Sequence, residues 1–287
     1  MNMKYVSARG DILPLTDNKY FHLMDIDGQT SYEGGVSRTK SNDDGDIITN
    51  VSAEARPLLI SLRIKSGVDV EMAKREILKV VKPKQYGSLV WEQNGRTLTI
   101  TGKVTSFSMP RWENGVIAQI GLDCEQPFWE DIDFVIQQIS EAVDLHYFVD
   151  SPVDMLYFSE DGIAFGEYDT IRTKAFHNAG DVAVGMEISI VALDTVTNPI
   201  IYNQYGEFFG VGYENRPLVM AAGDNVVITT RKGNKVVTLN GVNIYDKIKP
   251  NSTWLQLEAG DNSFSINSDD VSKSNMSFSL IYKQRYV

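Results

Sequence analysis

At 287 residues, with 43% apolar and 23% charged residues, the chain is long enough for two ordinary domains and has the composition of a folded globular protein. Its formal net charge of −11 argues against a nucleic-acid-binding surface and against docking on an anionic membrane, since both need basic patches. The single cysteine, Cys124, excludes an internal disulfide and a cysteine-built zinc cage.

The opening "MNMKYVSARGDILPL" has neither the apolar core nor the small-residue cleavage site of a signal peptide, so no leader is expected. No apolar run reaches the length that spans a bilayer. In "RPLLISLRIK" the residues Leu58, Ile60, Leu62 and Ile64 fall on one face, with Leu59, Ser61, Arg63 and Lys65 on the other. That alternation predicts a half-buried antiparallel strand. "GVDVEMAKREILKVVKP" departs from it: Val70, Ala73, Ile77, Val80 and Val81 recur at helical spacing, Asp69 suits an N-cap and Pro83 closes the segment. A short amphipathic helix on a sheet is expected, with Glu71, Lys74, Arg75 and Lys79 in solvent.

"SFSMPRWENG" reads as the tip between two strands, which would set Met109, Pro110 and Trp112 at a loop end. Such apolar groups suit a protein interface, local packing or a glycan contact. "VIAQIGLDC" then puts Val116, Ala118, Ile120, Leu122 and Cys124 in phase, with Cys124 on the buried side. Between Asp131 and Asp150 the pattern is mixed. Ile132, Ile136, Ile139 and Val143 have helical spacing, while "FVI" and "HYFV" read as strands. A domain boundary is placed here: a first domain over 1–133, a linker over 134–150 and a second domain over 151–287. In the second domain "WLQLE", "SFSIN" and "MSFSLIY" give Leu255, Leu257, Phe264, Ile266, Met276, Phe278, Leu280 and Tyr282 an inward phase. Short strands between Gly, Asn and Asp turns indicate a β-sandwich.

Ala-Gly-Asp occurs three times, at Ala179, Ala222 and Ala259, twice followed by Asn. A calcium site needs several oxygen ligands converging in one loop, and each element supplies one carboxylate. The spacing is unequal and the intervening sequences differ, so turns are expected rather than metal loops or repeats. "WLQLE-AGDN-SFSIN" reads as strand, four-residue turn, strand.

Catalytic signatures are missing from the sequence. His22, His146 and His177 have no zinc spacing, no Gly-x-Ser-x-Gly elbow occurs, and Gly210-x-Gly212 lacks the third glycine and helix of a phosphate cradle. Acidic "WEDID" offers carboxylates, with a solvated linker the plainer reading. No catalytic residue, cofactor or metal is assigned, and the chain is read as a non-enzyme.

"GGVSRTKSNDDGDIITNVSAEARPLLISLRI", the helix after it, "GLDCEQPFWED", "FHNAGDVAVGMEISI", "DNVVITTRKGNKVVTLNG", "STWLQLEAGDNSFSI" and "MSFSLIYKQRYV" occur in an order that resembles the distal tail protein (Dit) family of siphophages infecting Gram-positive bacteria. The resemblance runs along nearly the whole chain, with Pro127-Phe128-Trp129 at the end of the first domain. It implies a mainly β protein: an N-terminal β-sheet or barrel-like domain with one short helix, then a C-terminal galectin-like β-sandwich. It also implies a structural role as a baseplate hub. The first domain would form a homo-hexameric ring between the major tail tube protein and the tail-tip or tail-associated lysin protein. The tape measure protein and then DNA would pass through the bore without specific binding. Receptor-binding proteins are further partners, no membrane is involved, and the site of action is the virion after synthesis in the host cytoplasm.

Met109, Pro110, Trp112 and Trp129 are the candidate interface residues. Galectin sugar chemistry is not carried over, because His177-Asn178 lacks the matching arginine and Trp254 lacks the polar residues that should follow it. The alternative is a carbohydrate-binding β-sandwich contacting the host wall, with a β-sandwich hydrolase a distant third.

Overall fold

The structure, a computed structural model, describes residues 2–31, 33–40, 44–93, 95–112, 115–138, 141–143, 167–169, 173–269 and 276–287. It divides into a first unit, Met1–Asp133 with Arg285–Val287, and a second unit, Phe134–Gln284.

Alternation builds the first unit. Its main sheet runs β2 (Ile12–Pro14), β1 (Asn2–Ser7), β7 (Tyr86–Gln93), β8 (Arg96–Ser108), β10 (Gly115–Cys124), β6 (Arg56–Ile64) and β3 (Phe21–Asp27), each antiparallel to its neighbour. Along β6 the predicted row Leu58, Ile60, Leu62 and Ile64 is buried, and Ala118, Ile120, Leu122 and Cys124 of β10 lie in the same core. Burying each such aliphatic side chain contributes about 1.5–3 kcal/mol. The helix α1 (Val70–Val80) closes over this core with Ala73 and Ile77, and Val81 just beyond it is also buried. The Asp69 carboxylate accepts from the Glu71 N–H at 2.9 Å, satisfying one of the unpaired donors of the first turn.

Two further strands join this sheet. β11 (Trp129–Asp131) pairs with β8 and with the chain's last strand, Arg285–Tyr286. The Arg285 guanidinium reaches Glu130 with Nη2 to Oε1 at 2.7 Å. The C-terminus is therefore a strand of the first unit, although the 150 residues before it belong to the second. "WEDID", read as a solvated linker, is in part a paired strand.

The second unit is a β-sandwich. One sheet runs β12 (Val135–Gln138), β27 (Met276–Tyr282), β17 (Glu187–Ala192), β22 (Asn225–Arg231), β23 (Asn234–Leu239) and β24 (Val242–Asn243). The other runs β15 (Thr173–Asn178), β26 (Gly260–Asn267), β19 (Ile200–Asn203) and β20 (Phe208–Gly210). Phe176 of one sheet meets Phe278 of the other at 5.9 Å between ring centroids. The Tyr282 hydroxyl also crosses the layer, donating to the His177 carbonyl at 2.8 Å. Met276, Phe278, Leu280 and Tyr282 all face inward, as their spacing predicts. Smaller pairs complete the unit: β16 (Val184–Gly185) with β25 (Gln256–Leu257), β18 (Val196–Thr197) with β21 (Val219–Met220), and β13 (Glu141–Val143) with β14 (Glu167–Asp169).

Two sequence expectations meet different outcomes. Of the two readings left open here the strand holds for "FVI": Val135–Gln138 is β12, an edge strand paired with β27, and Ile132 and Ile136 lie on no helix. Ile139 and residues 144–150 lie outside the described residues. "WLQLE-AGDN-SFSIN" is not a hairpin either, because β25 pairs with β16 whereas β26 pairs with β15 and β19. The chain changes partners at Glu258–Ala259, and Asp261 and Asn262 already belong to the next strand.

Candidate functional site

Two of the Ala-Gly-Asp elements are chain reversals and the third opens β26, and side-chain amides hold all three. Asn178 accepts from the Gly180 N–H at 3.0 Å and donates to the Val182 and Leu257 carbonyls. Asn262 accepts from the Glu258 N–H and donates to the Glu258 and Gly260 carbonyls. Asp224 accepts from the Ala221 N–H and from Asn240 Nδ2, both at 2.8 Å. Asn240 and Gly241, with φ of 50° and 81°, make the two-residue turn between β23 and β24.

Among the described residues no three His, Cys, Asp or Glu side chains gather as metal ligands. Cys124 is fully buried, and burial, with Asp123 beside it, pushes its thiol pKa up to about 12. It has no thiolate at neutral pH and is not a nucleophile. His177 Nδ1 lies 2.7 Å from Asp261 Oδ1 on the exposed side of β15 and β26. The adjoining Asn178 spends its amide on the turn above, so the pair offers no sugar-binding set.

Three tryptophans are packing residues. Trp129 is buried, donates Nε1–H to the Gln29 carbonyl at 3.0 Å and meets Trp91 edge-on at 5.7 Å. Trp254 sits between Phe209 and Tyr245 with Lys235 over its ring. Trp112 lies on β9 (Arg111–Trp112), paired with the start of β10, and its side chain is outside the described residues. Met109 packs against the first unit's core, and Pro110 beside it is half-buried.

The first unit also carries hollows away from those residues. A groove of about 540 Å³ crosses the outer face where β3, β6, β10 and β8 lie side by side. The register sets Asp27 opposite Leu59, Leu59 opposite Gly121, and Pro57 opposite Asp123. A Cβ at Gly121 would run into Ser106 Oγ, so the glycine keeps the hollow open. The outward-facing Pro57 and Leu59 line it together with Asp27, Glu33 and Asp123. Further along β6, a second hollow of about 540 Å³ is lined by His22, Arg63 and Lys65.

A smaller hollow of about 150 Å³ adjoins the acidic groove, sharing Asp27, Glu33 and Pro57 and adding Arg56. Arg56 occupies the inward row of β6 and is 2% exposed. Its Nη1–H donates to the Gln29 carbonyl at 3.4 Å, while Nε and Nη2 have no acceptor among the described residues. Burial lowers its pKa from the ordinary guanidinium value. The alternation of "RPLLISLRI" puts Arg56 in phase with Leu58, a signal of a buried cation that the sequence carried.

Between β3 and β6 the chain makes a separate hairpin, β4 (Gly34–Lys40) and β5 (Asp46–Ala53). It pairs with no other strand among the described residues. Val36 faces Val51 and Arg38 faces Ile48, so these four share one face, with Lys40 and Asp46 beyond them. Val36, Ile48 and Val51 are 43%, 59% and 64% exposed. A two-stranded hairpin with its apolar residues in water has little to hold it.

Against known proteins, residues 179–286 match the model of the siphovirus-type tail component, C-terminal domain. This part of the chain is similar to the siphovirus-type tail component family. The crystal structure of the SPP1 Dit protein, described as a paradigm of the hub adsorption apparatus in phages infecting Gram-positive bacteria, is similar over 99% of both chains, with a TM-score of 0.65 and 14% identity. The chain thus resembles the Dit fold over 99% of its length. The phage P2 baseplate in its activated conformation with Ca has a chain 13% identical, covering 100% of this chain and 99% of its own at a TM-score of 0.43. No curated protein sequence matches.

Proposed function

We propose that this tail component is a structural hub protein of a siphophage tail tip, acting by self-assembly and not by catalysis. The observation that carries the reading is the tail-component family match of the second unit, joined to a Dit fold that extends through the first. The reading asks for no reactive group: Cys124 is buried and His177 is engaged with Asp261.

In this reading the first unit forms a hexameric ring between the major tail tube protein and the tail-tip or lysin protein, and the second unit projects from it. The tape measure protein and DNA pass through the bore, and receptor-binding proteins attach outside. A net charge of −11 suits a channel past which phosphates slide without binding. Pro110 and Trp112, at the tip between β8 and β10, remain candidate contacts with neighbours in the assembly.

Negative-stain imaging of the purified protein, alone and mixed with the tail tube protein, tests the reading. Six-fold rings that cap tube ends are expected. Featureless particles that leave tube ends bare contradict it.

A further inference from the structure

We propose that the small hollow at Arg56 binds a compact zwitterion of the α-amino acid class, its carboxylate on the Arg56 guanidinium and its ammonium between Asp27 and Glu33. The inference is independent of the hub reading, since every group it uses belongs to the first unit of one chain.

An unused pair of buried donors singles out this hollow. Arg56 is 2% exposed, and within its guanidinium only Nη1–H finds an acceptor, the Gln29 carbonyl at 3.4 Å. That carbonyl also accepts from Trp129 Nε1–H at 3.0 Å. Nε–H and Nη2–H have no acceptor among the described residues. These two donors share one edge of the planar guanidinium and point in parallel, the fork that a carboxylate fills with both of its oxygens. A buried cation without a counter-charge is costly. Cys124, the cross-strand neighbour of Arg56, is a neutral thiol and supplies none.

The rest of the lining selects among carboxylates. Burial puts Arg56 at the base of the hollow, whereas Asp27, Ser31 and Glu33 are exposed at its mouth. One cation against two carboxylates leaves the lining net negative. A plain anion is therefore repelled as it enters, and a plain cation meets Arg56 at the base. A molecule that leads with a carboxylate and carries an ammonium close behind it satisfies both ends.

Size sets the class. A volume of about 150 Å³ holds about five water-sized groups at ~30 Å³ each, which matches the nonhydrogen skeleton of glycine. Gly28 keeps the wall this close: its φ is 83°, and a Cβ there would run into the Pro57 carbonyl oxygen. The end of β3 can thus fold against the start of β6 and enclose the Arg56 edge.

The test is a titration of the purified full chain with glycine and L-alanine, followed by calorimetry and thermal melts. Acetate and methylammonium serve as the two halves of the ligand. Saturable heat and a rising melting temperature are expected with both amino acids. Acetate and methylammonium are each expected to bind at least about tenfold more weakly. Arg56→Lys keeps the charge without the fork and Arg56→Met removes both, and each should abolish glycine binding. If circular dichroism shows that these variants do not fold, the exposed pair Asp27→Asn with Glu33→Gln carries the test. That double variant should weaken glycine at least about tenfold and bring acetate level with it. A wild-type chain that gives no saturable heat with either amino acid, or binds acetate as tightly as glycine, would overturn the proposal. So would a folded Arg56→Met chain, or the double variant, that binds glycine unchanged.

Discussion

Asp224 shows how one carboxylate acquires a role that its sequence motif does not reveal. Its hydrogen bond from Asn240 and then that from the Ala221 N–H hold its pKa below the ordinary carboxylate value. A depressed folded pKa means a stabilising contribution present above the unfolded pKa and lost as pH falls through the folded one. An NMR titration should place the Asp224 midpoint below that of an unfolded aspartate, and Asn240→Ala should move it upward. Asp224→Ala should lower the melting temperature more than Asp261→Ala, since Asp261 has only the exposed His177 as its side-chain partner. Equal losses would mean that the turn is held by its backbone alone. Cys124 gives a second check at this scale: with its pKa near 12, it should not react with a thiol reagent at pH 8 until the chain is unfolded. Labelling of the native protein would show that the first unit's core opens.

At the scale of elements, what was legible follows from local periodicity. The inward rows of β6, β10 and β27 and the Asp69 cap are statements about neighbours two to four residues apart, and the structure bears them out. What was not legible depends on which strands pair. β25 and β26 look like one hairpin because a turn and a change of partner use the same Gly and Asn residues. "DIITNV" has too little alternation to show that Ile48 and Val51 share a face, which needs the bulge in the β4–β5 register. The groove, too, exists only through register, since Asp27, Pro57 and Asp123 are remote in sequence.

The return of Arg285–Tyr286 to the first unit is the element with the sharpest consequence. Arg285→Ala breaks the Arg285–Glu130 pair beside buried Trp129 and should cost the first unit about 1–2 kcal/mol. Phe278→Ala, inside the sandwich, should instead cost the second unit about 3–5 kcal/mol. Denaturant unfolding followed by unit-specific probes separates the two. A loss appearing in the other unit in either case would contradict the division of the chain.

For the molecule as a whole, the features with no purpose in a lone chain lie on the first unit: an apolar hairpin in water, an acid-rimmed groove and a buried guanidinium with two unused donors. Each costs stability in a lone chain. A protein built to assemble tolerates such local deficits because binding removes them. The central claim is therefore about mass. Light scattering of the purified full chain over a concentration series should show a species of about 193 kDa, six chains of 32.1 kDa, growing at the expense of monomer. A single 32.1 kDa species at every concentration, alone and with the tail tube protein, would contradict the account.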